Sequence, residues 1–308
     1  MNAPRRPPSR AVDGVLLLDK PTGISSNTAL QTARRLFNAD KAGHTGTLDP
    51  LATGLLPLCF GEATKFAGEL LDADKSYDAT LCLGVSTDSA DAEGQVLETR
   101  PVAVSQAQLE QALARFRGEI MQLPPMYSAL KRDGKPLYEY ARQGLEVERQ
   151  PRRVRIDSLQ LLAFSGDRVV LRVDCSKGTY VRTLAADIGA ALGCGAHLTA
   201  LRRTRIAGLD LHAAVTLEQL AALPAAQRDA CLAPADALLA DLPALHLDAE
   251  QSRRLRLGQA LPWPDGEGRR RVYGEGRFLG LCRLGGDGLL KPQRLVAEHR
   301  EKLESEGK

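Results

Sequence analysis

Aromatic residues are scarce in this 308-residue chain, where they make up 4% of the sequence and include a single tryptophan. The hydrophobic and charged fractions, 44% and 26%, are those of an ordinary globular protein, so the shortage is specific to rings. Because aromatic side chains are so few, each one that lies beside a motif gains weight as a ligand contact. Tyr77 and Tyr180 are such cases.

Paired cysteines are absent as well. No two of the six cysteines form a C-x-x-C motif, which argues against a zinc ribbon and against a dithiol redox site. Most lie among apolar neighbours, so we interpret them as reduced thiols of a cytosolic protein. They are Cys59, Cys82, Cys175, Cys194, Cys231 and Cys282.

Long apolar runs are also missing. No segment approaches the roughly 20 apolar residues that a membrane-spanning helix requires. The first ten residues are rich in proline and arginine and lack the apolar core of a signal peptide. We therefore expect a cytoplasmic protein.

Charge is nearly balanced overall, with 41 basic against 38 acidic residues, so the net charge says little about partners. The distribution is uneven, because acids concentrate between Asp72 and Glu98 and arginines cluster later in the chain. A single cluster is more often a solvated face than a phosphate-binding track, but four clusters favour a polyanionic partner. They are Arg149, Arg152, Arg153 and Arg155; Arg202, Arg203 and Arg205; Arg253, Arg254 and Arg256; and Arg269, Arg270 and Arg271.

The most informative segment is GHTGTLDPLATG, residues 43–54, which carries one carboxylate among small, apolar and hydroxyl residues. Asp49 is the only acid between Asp40 and Glu62. Glycines and a proline frame it, as in a loop whose backbone is shaped to aim one side chain. From composition alone, a turn capped by Asp49 is an equally good interpretation.

This segment, together with GVLLLDKPTGISS at 14–26, resembles the TruB family of bacterial tRNA pseudouridine-55 synthases. The resemblance continues through KSY at 75–77, PPMYSALK at 124–131, CSKGTYVRTL at 175–184 and GCGAHL at 193–198. It covers most of residues 13–206, in family order. It implies an enzyme that isomerises uridine-55 in the T-loop of tRNA, with a flipped-out target base and with no metal or cofactor.

The resemblance also implies the site residues. Asp49 matches the family's nucleophile, Arg182 the arginine that pairs with it, and Tyr77 the tyrosine that stacks on the base and helps remove the C5 proton. Four more positions match substrate contacts or supports of the site: Lys20, His44, Tyr180 and Leu201.

Each of these residues also has a simpler interpretation. Arg182 taken alone fits a surface arginine, Tyr77 and Leu201 fit core packing, and His44 fits an incidental loop histidine. Lys20 fits a support of the catalytic loop, a phosphate contact or a solvated lysine. The continuous match around each motif favours the functional interpretation.

We expect an α+β fold: a mixed or antiparallel sheet with flanking helices, followed by a small β-rich module. Residues 1–12 are predicted to be a disordered tail, 13–243 the catalytic domain, and 244–308 a PUA-like RNA-binding module. Helices are predicted after a cap at Ser25, Ser26 or Asn27, over 106–116, 136–142, 179–192 and after Thr216, and strands over 15–18, 76–84, 153–164 and 168–175. In the module we expect a helix over 248–257 and strands over 271–273, 278–284 and 289–296.

Two other enzyme classes fit less well. A glycoside hydrolase needs a second acid across the bond, and none occurs in the Asp49 motif; a phosphate-binding loop would end in Gly-Lys-Ser/Thr. A non-catalytic RNA-binding or RNA-folding protein is the main alternative, because the arginine clusters would serve it equally. We expect a monomer whose partner is tRNA, contacted at the T-arm and the acceptor stem.

Overall fold

The computed structural model describes residues 9–128, 130–264 and 266–297. Within these ranges the helices are α1 Ser26–Phe37, α2 Gln106–Ala114, α3 Leu137–Arg142, α4 Val181–Ala191, α5 Leu217–Ala222, α6 Ala225–Arg228 and α7 Ala249–Arg256, with 3-10 segments at Gly61–Leu70, Leu211–Ala213, Asp229–Cys231 and Ala235–Leu239. The strands are β1 Gly14–Lys20, β2 Ala42–His44, β3 Thr53–Phe60, β4 Lys75–Leu83, β5 Val85–Thr87, β6 Val96–Thr99, β7 Gly118–Gln122, β8 Lys131–Arg132, β9 Lys135–Pro136, β10 Arg152–Ser165, β11 Arg168–Cys175, β12 Ala196–Ile206, β13 Leu209–Asp210, β14 Val215–Thr216, β15 Leu232–Ala233, β16 Ala244–Leu247, β17 Leu261–Pro262, β18 Gly268–Gly274, β19 Arg277–Leu284 and β20 Leu289–Leu295.

A mixed sheet organises the larger part of the chain. Its strands follow the order β14-β1-β3-β12-β4-β11-β10-β7, with β2, β13 and β15 added at the sides of β3, β12 and β1. Most neighbours are antiparallel, whereas β3 and β12 run parallel. The predicted α+β class is therefore confirmed.

The alternation expected in β4 is present. Tyr77, Ala79, Leu81 and Leu83 are all buried, as side chains on one face of a half-buried strand should be. This face belongs to the main core, which it shares with the buried side of α1. Tyr77 thus enters the interior from the central part of the sheet.

Helix α1 begins where the sequence predicts. Ser25 caps it by accepting a hydrogen bond from the Thr28 amide at 3.0 Å, and Asn38 ends it in the left-handed conformation, with φ at 51°. Helix α5 likewise begins at the capping box of Thr216 and Gln219. These local signals lie in the sequence itself, which is why both starts could be predicted.

Two sequence expectations need correction. Helix α4 begins at Val181 instead of 179, because the Gln122 side chain holds the backbone of Tyr180: it accepts from the amide at 2.8 Å and donates to the carbonyl at 3.1 Å. The disorder predicted for 1–12 is also wrong for its last residues. Residues 1–8 lie outside the described residues, but Arg10 pairs with Asp229 and Val12 is buried.

The terminal module is a five-stranded sheet, β16-β18-β19-β20-β17, with α7 packed on it and its own small core. It is joined firmly to the rest of the chain. Leu281 and Phe278 pack in one cluster with Phe66, and Lys65 Nζ donates to the Leu295 carbonyl at 2.9 Å. An ion pair between Glu69 and Arg269 adds to this contact between the module and the rest of the chain.

Candidate active site

The loop that carries Asp49 connects β2 to β3. It ends at Gly54, whose φ is +98° and whose position leaves no room for a side chain, since an added Cβ would lie 2.3 Å from the Arg203 carbonyl oxygen. This close approach is where β3 and β12 pair in parallel. Gly54 therefore lets the loop return directly onto the central strands.

Helix α1 fixes the other side of this loop. The Ser26 hydroxyl is buried and bonds both backbone groups of Leu48, accepting from the amide at 2.8 Å and donating to the carbonyl at 3.0 Å. The Gly23 amide donates to the Pro50 carbonyl at 2.8 Å. The peptides on both sides of Asp49 are thus held by the protein before any ligand arrives.

The expected pairing of Asp49 with Arg182 is present. Arg182 Nε lies 3.0 Å from Asp49 Oδ2, at the start of α4. The arginine side chain is 6% exposed, whereas that of Asp49 is 41% exposed. The Asp49 carboxylate therefore pairs with a buried cation and remains partly exposed on its other side.

Other groups fix the same guanidinium. Nη2 donates to the Tyr127 carbonyl at 2.7 Å, and Nη1 lies 3.6 Å from Asp91 Oδ2. Asp91 is itself buried and accepts from the Ser89 hydroxyl at 2.5 Å and the Glu93 amide at 3.0 Å. We call Asp91, Tyr127 and Arg182 the cavity wall.

The electrostatics of Asp49 follow from this geometry. Burial raises the pKa of Asp49, and the charge of Asp91 raises it further. Arg182 and Lys20 lower the same pKa and so oppose these effects. The carboxylate is consequently a stronger base than a solvent-exposed aspartate.

In front of Asp49 lies a cavity of about 680 Å³. His44, Asp91 and Tyr127 line it beside Asp49, with Tyr138 and Arg142 farther along, the Arg142 guanidinium 5.3 Å from the centre of the Tyr138 ring. This volume is in the range of ligand-binding clefts. A mixture of aromatic, acidic and basic groups therefore surrounds the partly open Asp49 carboxylate.

A second set of residues lies on the sheet side of Asp49. Tyr77 and Arg203 are register partners on β4 and β12, and they are 8% and 2% exposed. The positive charge of Arg203 acts on the Tyr77 hydroxyl, and the Arg203 Nε donates to the Leu55 carbonyl at 2.8 Å. We call Lys20, Tyr77 and Arg203 the sheet floor.

Lys20 is completely buried, so a solvated lysine is excluded. Its ammonium donates to the carbonyls of Pro21 at 2.8 Å and Ile24 at 2.7 Å, with the Pro50 carbonyl at 3.4 Å. Burial lowers the pKa of Lys20 to about 8, and the nearby charge of Asp49 partly opposes this. The contact with Pro50 places this cation directly under the Asp49 loop.

The three remaining candidates occupy different positions. His44 lines the cavity and is half-buried, and burial lowers its pKa, so the ring is neutral at pH 7. Tyr180 is half-buried, and burial raises its pKa. Leu201 is 9% exposed and belongs to the main core on β12. Of the predicted residues, Asp49, Arg182 and His44 thus share the cavity, whereas Tyr77, Lys20 and Leu201 are buried in the sheet around it.

Comparison with known proteins agrees with this arrangement. Residues 34–181 match the TruB family pseudouridylate synthase (N terminal domain), 182–240 the tRNA pseudouridylate synthase B C-terminal domain, and 243–296 the C-terminal region of pseudouridine synthase II TruB. A tRNA pseudouridine synthase B of Aromatoleum aromaticum is 63% identical over 289 residues, which are 94% of each chain. This chain belongs to the TruB family.

Further relatives support the same assignment. The tRNA pseudouridine synthase B of Azoarcus sp. strain BH72 is 61% identical over 95% of this chain and 98% of its own. Among solved structures, a chain of a Cbf5-Nop10-Gar1 complex is 27% identical with a TM-score of 0.69, covering 88% of this chain and 78% of that one. A second, from an H/ACA RNP bound to a substrate RNA containing 2′-deoxyuridine, shares the fold with a TM-score of 0.70 at 23% identity, over 92% of this chain and 85% of that one.

Two of the arginine clusters of this TruB-family chain make contacts within the protein. Arg202 pairs with Asp19 at 2.6 Å, Arg203 is buried, and Arg205 bonds Ser76 at 3.0 Å and lies 3.5 Å from Asp174. Arg203 is therefore committed to the interior, whereas Arg202 and Arg205 form ion pairs and remain partly exposed. Arg269 and Arg271 also point inward, to Glu69 and to the Leu242 carbonyl at 2.8 Å.

Two residues of the site were not predicted. Asp91 lies in the acid-rich segment, but nothing in its spacing singles it out, and Arg203 is hidden within a run of three arginines. Both become apparent when β12 and the loop after β5 are placed beside Asp49. In the described ranges there is no group of three or more potential metal ligands, and none of their helices is long and apolar enough to cross a membrane.

Proposed function

We propose that this TruB-family chain isomerises uridine-55 in the T-loop of tRNA to pseudouridine, with Asp49 as the nucleophile. The observation that carries the proposal is the Asp49 carboxylate, 41% exposed toward a 680 Å³ cavity and held at 3.0 Å by a buried guanidinium. Relatives more than 60% identical over nearly the full chain are tRNA pseudouridine synthases, which supports tRNA as the substrate.

The chemistry requires a nucleophile that leaves again. The N-glycosidic bond must break, the uracil must turn, and its C5 must join the sugar C1′ before the C5 proton is lost. Attack by Asp49 on C1′ or on uracil C6 needs the ionised carboxylate in either case. Arg182 favours that ionised form, and its bonds to the Tyr127 carbonyl and Asp91 fix its direction.

The other predicted residues have proposed roles consistent with their positions. Tyr77 forms a wall of the base site and helps to remove the C5 proton. Lys20 supports the Asp49 loop through Pro50, since its burial leaves no access for a phosphate. His44, Tyr180 and Leu201 are proposed to contact the flipped nucleotide or to border its pocket.

The target base must leave its stack in the folded tRNA before Asp49 can reach it, at a cost of about a few kcal/mol. A cavity lined with Tyr127, Tyr138 and Arg142 offers rings and a guanidinium plane for stacking extruded bases. We propose that the terminal module adds contacts to the acceptor stem through the exposed arginines of α7, Arg253 and Arg256, since Arg269 and Arg271 are turned inward. A cytoplasmic location and a monomeric state remain predictions from the sequence.

The decisive experiment is tritium release from tRNA labelled at uracil C5. Asp49→Asn should abolish release while tRNA binding stays within about threefold, because the amide keeps the shape but cannot act as a nucleophile. Asp78→Asn is the matched control, since Asp78 bonds Arg172 and follows Tyr77 on the opposite face of β4. A transcript with cytidine at position 55 tests the position of the target.

Undiminished release by Asp49→Asn would refute the nucleophile. Release from the cytidine-55 transcript would refute the target position. A wild-type chain that binds tRNA and forms no pseudouridine would establish the alternative, a non-catalytic RNA-binding protein.

A further inference from the structure

Arg203 is a buried cation without an acidic partner. It is 2% exposed, and no carboxylate within the described ranges lies within ion-pairing distance of it. Its Nη2 also lacks a hydrogen-bond partner there. Burying a charge in this way is costly, and burial lowers the pKa of Arg203 accordingly.

The contacts of Arg203 connect two parts of the site. Its Nε donates to the Leu55 carbonyl on β3, one residue beyond Gly54, where the Asp49 loop ends. Tyr77 is its register partner on β4, and the charges of the two side chains act on each other. One rigid side chain therefore spans from the nucleophile loop to the tyrosine of the sheet floor.

The direction of this contact is fixed by chemistry. A guanidinium can only donate, so in a hydrogen bond between the two side chains the Tyr77 oxygen is the acceptor and the hydroxyl proton points elsewhere. The positive charge also favours negative charge on that oxygen. Tyr77 is thereby prepared to exchange a proton with a base seated above the floor.

We propose that Arg203 is a positioning residue for this reaction: it holds Tyr77 and stabilises the Tyr77 phenolate that removes the C5 proton. This inference rests on the proposed function. In that step the C5–H bond breaks, its electron pair becomes the C5=C6 bond, the electron pair of the C6=N1 bond moves to N1, and the proton passes to the Tyr77 oxygen. Tyr77 then gives a proton to N1 of the rejoined base, which restores the phenolate.

The test is a double-mutant cycle measured by single-turnover tritium release. Arg203→Met should lower the maximal rate by about 10- to 100-fold, the loss expected for a charge-assisted hydrogen bond, with half-saturating tRNA concentration within about threefold. Arg203→Lys, which keeps the charge, should recover part of the rate. In a Tyr77→Phe background, Arg203→Met should have no further effect beyond about twofold.

The pH profile adds a second measurement. Groups that face Tyr77 are Arg203 on β12, Cys175 on β11 and Asp49 on its loop; burial raises the pKa of Tyr77, and Arg203 opposes this. Loss of Arg203 removes an effect that lowers the pKa of Tyr77, so the rise in rate that follows ionisation of Tyr77, above pH 7, should move to higher pH than in the wild-type chain. Lys20 titrates in the same range in both proteins, so the ratio of their rates isolates the effect.

Arg172→Met is the matched control, because Arg172 pairs with Asp78 on the other face of the same strands and should leave the rate within about twofold. Equal losses from Arg203→Met with and without the Tyr77 hydroxyl would overturn the proposal, as would an unchanged rate. If Arg203→Met fails to fold, the Arg203→Lys cycle gives the same test. If the wild-type chain forms pseudouridine and Arg203→Met is equally active, this inference is rejected and the proposed function stands.

Discussion

The cavity wall and the sheet floor solve the problem of buried charge in opposite ways. On the wall, Arg182 lies between the carboxylates of Asp49 and Asp91 and also bonds two carbonyls. On the floor, Arg203 and Lys20 are buried cations whose described partners are carbonyls and the Tyr77 hydroxyl. One side is neutralised, whereas the other carries excess positive charge.

Asp49 lies between these two sides, and its electrostatics depend on both. The charge of Asp91 cancels part of the lowering of the Asp49 pKa by Arg182. With the wall alone, the pKa of Asp49 therefore stays raised by burial. The floor contributes through Lys20, which lowers that pKa. A strong ion pair, here with Arg182, can therefore orient a nucleophile, while a more distant cation without an acidic partner, here Lys20, helps to ionise it.

The largest effect should follow from removing the wall cation. Arg182→Met leaves Asp49 and Asp91 facing each other without a counter-charge, so we expect the rate of pseudouridine formation to fall by roughly a thousandfold. The free energy of unfolding should drop by about 3 kcal/mol, since Asp91 becomes an unpaired buried acid. Single-turnover tritium release and chemical denaturation measure the two effects.

Arg182→Lys separates orientation from charge. A lysine supplies a point charge without the planar fork, so it should restore stability more than rate. If Arg182→Met kept the rate within tenfold, the wall would have no part in the chemistry, and the contrast with the floor would lose its meaning.

A smaller and two-part effect is expected for the second acid of the wall. Asp91→Asn should lower the plateau rate by about tenfold, because Arg182 loses one of its contacts. It should also move the acid limb of the rate profile to lower pH, since a like charge that raises the pKa of Asp49 has gone. The measurement is the single-turnover rate from pH 5 to 8.

Asp88→Asn is the control for this profile. Asp88 lines the same cavity, but its Oδ1 accepts from the Gln95 amide at 2.8 Å. An acid limb that moves to higher pH in Asp91→Asn would contradict the assigned electrostatics.

Much of the fold was predictable because its signals are local. The cap at Ser25, the alternation in β4 and the capping box at Thr216 are written in adjacent residues. The central strand β12 was not predicted, since its run of arginines masks the period of two. Those arginines point inward and outward in turn, which becomes clear when their partners on other strands are known.

The site divides in the same way. The resemblance supplies Asp49, Tyr77 and Arg182, and the structure brings Asp49 and Arg182 into contact. Asp91 and Arg203 come from segments that are distant from Asp49 in the sequence. The sequence does not show that Asp91 will pair with Arg182, or that Arg203 will be buried without an acidic partner. Burial likewise excludes a solvated lysine at position 20, where the sequence left three interpretations open.

The smallest effect should come from the floor cation that acts on Asp49 from a distance. Lys20→Met removes a charge that lowers the pKa of Asp49, so the acid limb should move to higher pH, opposite to the shift in Asp91→Asn. The Lys20 ammonium stays protonated throughout this limb, because its own pKa is about 8. The plateau rate should fall by about three- to tenfold as the Pro50 carbonyl loses a donor and the loop loosens.

Lys75→Met tests whether any buried lysine would behave in this way. Lys75 also donates to backbone carbonyls from the same sheet, at Leu70, Leu71 and Ala73, but its charge does not act on Asp49. Its acid limb should therefore match that of the wild-type chain. If Lys20→Met and Asp91→Asn moved the limb in the same direction, both profiles would report loosening of the loop, and wall and floor would not differ in their action on the nucleophile. Opposite shifts arise only if each charge is felt at Asp49 with its own sign.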